Sequence, residues 1–331
     1  MEMYDATRNP AGGEGDPKLR AQLTKMLRAR GPFRYPAPDD EGHPAMRLET
    51  VVGWRDVHFP GPVVYLQPPG GDQSILWQTA ATLDPYAVGY AQQMFADNQF
   101  FASVADHLKN GSFRATFGLL SLPDDYDLVR AQPPSPYRLP MSPGQPDFAW
   151  SDEEDGVVAI KHGDEILYAS LYWRSRAGIN GLARVHLLAP QYQQVAVVYE
   201  DVKFDPSGKS WKRPNWTNFG FGGGGYRYPG KLDSALEGEE LPIPKMPADV
   251  PQVPGKDNPY AGRADFYQLR YGPYLIGMNT TADKTFELAS PVGLKQAPDL
   301  VTGKTIPLDQ PLKVEPRTTV VLFITAAGEN K

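Results

Sequence analysis

SLYWRSRAGINGLARVHLL, residues 170–188, sets two runs of strand-forming residues on either side of Gly178 to Gly181. β-Branched and aromatic side chains fit the half-buried pleated surface of a sheet. Asn180-Gly181 is a strong hairpin cue, because both residues reach the left-handed conformations a tight turn needs. Alternation puts Tyr172 with Arg174 on one face of the first strand and Arg184 with His186 on one face of the second. The register between the strands stays open. A two-residue Asn-Gly turn sets Arg184 and His186 beside Ser175 and Trp173.

The same kind of segment recurs outward from this hairpin. VVAIK (157–161), EILYASLYWRS (165–175), LARVHLLAP (182–190), QVAVVYEDVKF (194–204), FYQLRYGPYLIGMN (266–279), TFELASP (285–291) and TTVVLFIT (318–325) are short and separated by Gly, Pro, Asn or Asp. Short strands at such spacing indicate an antiparallel sandwich.

Upstream the period changes. In DPKLRAQLTKMLRARG (16–31), Asp16 suits an N-cap, Pro17 the first helical position and Gly31 the stop, with Leu19, Leu23, Met26 and Leu27 as the apolar stripe. Asp84 and Pro85 repeat that start before Val88, Ala91, Gln92 and Phe95, and 99–110 and 123–132 carry further helical patterns. Residues 132–146 hold six prolines and read as an extended strap. The expected fold is α+β, mainly β: an antiparallel β-sandwich over 146–331, preceded by a helical region with irregular loops and the strap over 1–145. These helices are too few to cover their own apolar stripes, so they are expected to lean on the sandwich or on helices outside the chain.

The 331 residues include 34 prolines, 32 glycines and no cysteine, so disulfides and thiolate metal sites are excluded. A net charge of −6 without a long basic run argues against nucleic acid and anionic membranes as partners. No apolar run approaches the roughly 18 residues of a membrane helix. MEMYDATRNP has neither the basic nor the apolar region of a signal peptide, so none is expected.

WKRPNWTNFGFGGGGYRYPG (211–230) is the least ordinary loop. A phosphate-cradling loop requires a lysine, a hydroxyl and a following helix, and none is present. Sugar rings stack their C–H faces on aromatic rings and hydrogen-bond through their hydroxyls. Trp211, Trp216 and Tyr226, with Asn215, Asn218, Arg213 and Arg227, supply both kinds of group. A long loop packed by its own aromatics is the competing reading. RLETVVGWRDVHFPG (47–61) gathers Glu49, Trp54, Arg55, Asp56 and His58; paired carboxylates such as Glu49 and Asp56 can hydrolyse a glycosidic bond. The histidines lack metal-ligand spacing, and SDEED (151–155) reads as an exposed acidic turn rather than a calcium loop. No metal and no cofactor is expected.

The segments from DFAWSDEEDGVVAIKHGDEILYASLYWRSRAGINGLARVH through RPNWTNFGFGGGGYRYPG to YGPYLIGMNTTADKTFEL and DLVTGKTIPLDQPLKVEPRTTVVLF resemble the carboxy-terminal half of bacterial polysaccharide lyases, in which an (α/α) toroid precedes a β-sandwich. They are similar to those of the rhamnose–glucuronate lyases, and YDATRNP with WQTAATLDPYAVGYAQQMFADNQFF is similar to the last toroid helices. The chain departs from that family in length, resembling a carboxy-terminal piece. Upstream toroid helices or a second subunit would be its partners. The resemblance implies an exported protein acting on an acidic oligosaccharide or polysaccharide by β-elimination. A lyase neutralises the uronate carboxylate, removes the C5 proton and protonates the leaving oxygen. The expected roles are Arg184 and Arg174 at the carboxylate, His186 as base and Tyr172 as acid. Trp173, Asn180, Trp211, Asn215, Trp216, Asn218, Tyr226, Trp54, Arg55 and His58 are the expected substrate contacts. The alternatives are a glycan-binding or domain-packing sandwich without chemistry, and a hydrolase using Glu49 and Asp56.

Overall fold

The computed structural model describes residues 2–8, 14–38, 42, 44–49, 73–97, 100, 101, 104, 105, 109, 121–172, 178, 179, 181–212, 239–248, 250, 260 and 262–324. The chain divides into two compact units: Met1–Glu49 with Pro60–Pro146, and Thr50–Phe59 with Asp147–Lys331.

The first unit contains helices α1 (Glu2–Thr7), α2 (Pro17–Arg30), α3 (Gln73–Thr82), α4 (Pro85–Ala96) and α5 (Leu122–Arg130). A short antiparallel pair, β1 (Arg34–Pro36) and β2 (Met46–Leu48), joins them. Asp16 accepts from the backbone N–H groups of Lys18 and Leu19, and Asp84 from those of Tyr86 and Ala87. Each carboxylate satisfies donors that the first helical turn leaves over. Gly31 is not the expected left-handed stop. Its φ is −59°, and the chain continues through a 3₁₀ turn at Gly31–Phe33. A side chain at Gly31 would collide with Tyr86, so glycine serves close packing here. On α4 the buried face is Ala87, Val88, Tyr90, Ala91 and Met94. Gln92, expected in the apolar stripe, instead binds the proline strap: it donates to the Pro133 carbonyl (3.0 Å) and accepts from Ser135 N–H (2.8 Å). Gln93 does the same with Ser142 (2.8 Å) and Leu139 (3.1 Å). The strap lacks regular partners because of its prolines, so side-chain amides satisfy its backbone.

The second unit is built on two antiparallel sheets. One runs in order β3 (Phe148–Asp152), β4 (Val157–His162), β5 (Glu165–Ser170), β6 (Leu182–Ala189), β7 (Tyr192–Tyr199). The other contains β8 (Asp201–Lys203), β11 (Phe266–Tyr271), β12 (Tyr274–Asn279), β14 (Gln296–Asp299), β15 (Lys304–Pro307) and β17 (Thr318–Phe323), in order β15-β14-β17-β12-β11-β8. Two further pairs are β9 (Pro206–Lys212) with β10 (Glu240–Pro244), and β13 (Phe286–Leu288) with β16 (Leu312–Val314). QVAVVYEDVKF is not one strand. It breaks at Glu200, so that β7 edges the first sheet and β8 the second.

Val158, Ile160, Leu167, Ala169, Ala183, Val185 and Leu187 of the first sheet pack against Tyr267, Leu269, Tyr274, Ile276, Met278 and Val321 of the second. The chain is thus mainly β, a sandwich preceded by a few helices. Each large apolar side chain fully buried there contributes about 1.5–3 kcal/mol.

Candidate functional site

The register of the opening hairpin is fixed by pairing of Ser170 with Arg184, Tyr168 with His186 and Ile166 with Leu188. Asn180-Gly181 is therefore not a two-residue turn; the connection runs from Leu171 to Gly181. Arg184 lies opposite Ser170 and His186 opposite Tyr168, not beside Ser175 and Trp173. Ala183, Val185 and Leu187 belong to the core between the sheets, so Arg184 and His186 point off the opposite face of β6. Both are buried. His186 Nε2 meets the Gln193 side-chain nitrogen at 2.8 Å, and an amide nitrogen can only donate, so Nε2 accepts. Tyr172 goes the other way. It lies in the core between the sheets, its ring stacked on Tyr267 at 5.4 Å. The expected acid is thus separated by the sheet from the expected base and from one of the expected carboxylate-binding arginines. These three side chains do not converge on one substrate.

Arg174, Trp173, Asn180, Asn215, Trp216, Asn218, Tyr226, Trp54, Arg55 and His58 lie outside the described residues, as do Asp56 and the glycine run. Glu49 is buried in the first unit, and its backbone N–H donates to Phe33 (2.8 Å). Trp211, on β9, is described. It packs on Ile243 and Met246 together with Tyr260.

Met246 and Tyr260 lead to a cleft of about 450 Å³ in the second unit. It forms where β8 ends, β11 begins, β12 ends and β17 begins. Antiparallel register brings these points together, since Phe266 pairs with both Lys203 and Asn279, and Asn279 pairs with Thr318. The loops leaving those positions supply the walls: Asp205, Tyr260, Arg263, Asp265, Thr280, Thr281, Lys284 and Arg317, with Pro244 to Pro247 alongside.

The walls are tied to one another. Asn279 is fully buried and donates to the carbonyls of Lys284 (2.6 Å) and Val314 (3.0 Å), while its own carbonyl accepts from Thr281 N–H (3.0 Å) and hydroxyl (2.7 Å). Thr280 donates to the Ala264 carbonyl at 2.7 Å. Lys284 spans Asp205 (3.0 Å) and Asp265 (2.6 Å), and these hydrogen bonds hold its ammonium above the ordinary lysine value. The SDEED turn reaches over from the first sheet. Asp152 caps it through the N–H groups of Glu154 and Asp155, and Thr319 donates to Glu153 at 2.6 Å. Glu154 divides its two oxygens between Arg263 Nη1 (2.6 Å) and Arg317 Nη1 (3.0 Å). Partial burial pushes the Glu154 carboxyl up, but the two guanidiniums outweigh it and hold it below the ordinary carboxylate range. The Arg263 guanidinium also lies over the Tyr260 ring, 5.2 Å from its centroid.

The cleft therefore joins an aromatic ring, hydroxyls, carboxylates and cations on walls that are fixed in advance. Apart from Trp211 in the adjoining apolar cluster, sequence reading missed it. GRADFYQLR and GMNTTADK do carry charged residues just beyond strand ends, but only the pairing of β11 with β12 brings them to one place. The chain matches no family model, no curated protein and no solved structure in the three comparisons made. The likeness to polysaccharide lyases rests on the quoted segments alone.

Proposed function

We propose that the sandwich binds a glycan in this cleft without breaking it. The observation that carries the proposal is the pairing of the Tyr260 ring with a dense ring of fixed polar groups at Lys284, Asp205, Asp265, Thr280 and Thr281. An aromatic platform takes the C–H face of a sugar, and charged groups held in place read its hydroxyls with little ordering cost. Binding is favoured over elimination because the residues expected to act as base and acid project from opposite faces of one sheet.

Isothermal titration with glucuronate-containing oligosaccharides tests this, together with absorbance of the unsaturated uronate that a lyase releases. Saturable binding with no absorbance change is expected. Tyr260→Ala is expected to weaken it about ten-fold through loss of stacking. Growth of the unsaturated product would replace the binding reading with the lyase one. Absence of heat for every saccharide would remove both.

A further inference from the structure

Arg317 stands out within the cleft for its backbone. Its φ is +54°, in the left-handed region, and it is one of two non-glycine residues there among the described residues. Left-handed backbone is unfavourable for a side chain as long as arginine, and such strain collects at functional sites. Glycine would fit this turn between β16 and β17 better. The turn itself is well held, since Arg317 N–H donates to the Thr281 carbonyl at 3.0 Å. What the arginine adds is a guanidinium at the cleft wall.

That guanidinium has a neighbour of the same charge. Arg263 and Arg317 both line the cleft, and one carboxylate, Glu154, bridges them. Only Nη1 of each guanidinium is used in that bridge. Arg263 also faces the Tyr172 hydroxyl, whereas Arg317, with five donors in a planar fork, keeps further N–H groups for a second acceptor. Paired arginine forks match the geometry of a planar carboxylate better than that of a neutral hydroxyl.

We infer that Arg317 and Arg263 form a carboxylate-recognising corner of the cleft, and that the ligand is a sugar bearing one carboxylate, such as a glucuronide. This rests on the reading of the cleft as a saccharide site. Glu154 holds the two guanidiniums in place from the side of the SDEED turn. Arg317, half exposed, is the recognition residue that can be removed most cleanly.

The test compares the full chain with its Arg317→Gly variant, using methyl β-glucuronide, methyl β-glucoside and succinate as titrants. Glycine suits the positive φ, so the variant is expected to melt at the same temperature as the parent or higher. The parent is expected to prefer the glucuronide over the glucoside by about ten-fold or more, the worth of a charge-assisted hydrogen bond. Arg317→Gly should bring that preference close to unity by weakening glucuronide binding. Arg317→Lys, which keeps the charge and loses the fork, should keep only part of it. Equal affinity of the parent for the two glycosides overturns the carboxylate corner and leaves the glycan reading standing. Arg317-dependent binding of succinate, without binding of either glycoside, keeps the corner and removes the glycan reading. No binding of any titrant overturns both.

Discussion

Glu200 carries a buried carboxyl that the fold does not satisfy. It sits at the crossover from β7 to β8, and although the residue as a whole is only partly buried, both carboxyl oxygens are sealed from water with no hydrogen-bond partner. Burial, and then the negative charge of Asp201, pushes its carboxyl well above the ordinary value of 4.5. An acid raised in the folded state stabilises the fold most below its unfolded value, and that contribution is lost as pH rises toward the folded one. Stability should therefore fall as pH climbs from about 4.5 toward neutrality, so far as this residue governs it. Glu200→Gln removes the ionisable carboxyl. It is expected to raise stability by about 1–3 kcal/mol at neutral pH and to flatten that slope. Urea melts of both proteins across this pH range check the direction. A parallel slope in the variant would show that Glu200 ionises without cost.

At the level of elements, short-range signals were readable and long-range ones were not. The caps at Asp16 and Asp84 follow from local chemistry, as do the strand cores of VVAIK and LARVHLLAP, and each appears where the residues point. Gln92 looked like part of an apolar stripe because it falls at helical spacing. Its real partner is a strap some forty residues away, a contact that periodicity does not encode. The same holds for QVAVVYEDVKF, whose continuous β-propensity hides the crossover at Glu200. The strap provides a sharp test of packing. Gly89 on α4 faces it so closely that a Cβ would strike the Tyr137 carbonyl, a backbone atom that cannot rotate away. Gly89→Ala normally gains helix propensity, but here it should destabilise by about 1–3 kcal/mol through overpacking. Thermal melts decide the sign: a stabilised variant would mean that the strap yields freely.

In the whole molecule, the candidate site is a product of topology. Asp205, Asp265, Lys284 and Arg317 come from four separate loops, and no local motif marks them. Antiparallel register collects those loops at one end of the second sheet, and the buried Asn279 and Thr280 lock them together. The hairpin that looked richest in chemistry owes its Arg184 and His186 to one face of a sheet and its Tyr172 to the other. Residue type was legible there, but the face each side chain takes depended on a register that the sequence left open. The claim that joins these levels is that the cleft is a saccharide site. A crystal structure of the chain soaked with a glucuronate-bearing disaccharide addresses it directly. The sugar ring should lie on Tyr260, within hydrogen-bond reach of Lys284, with its carboxylate between Arg263 and Arg317. An empty cleft at saturating ligand, or sugar bound at another surface, would contradict the account.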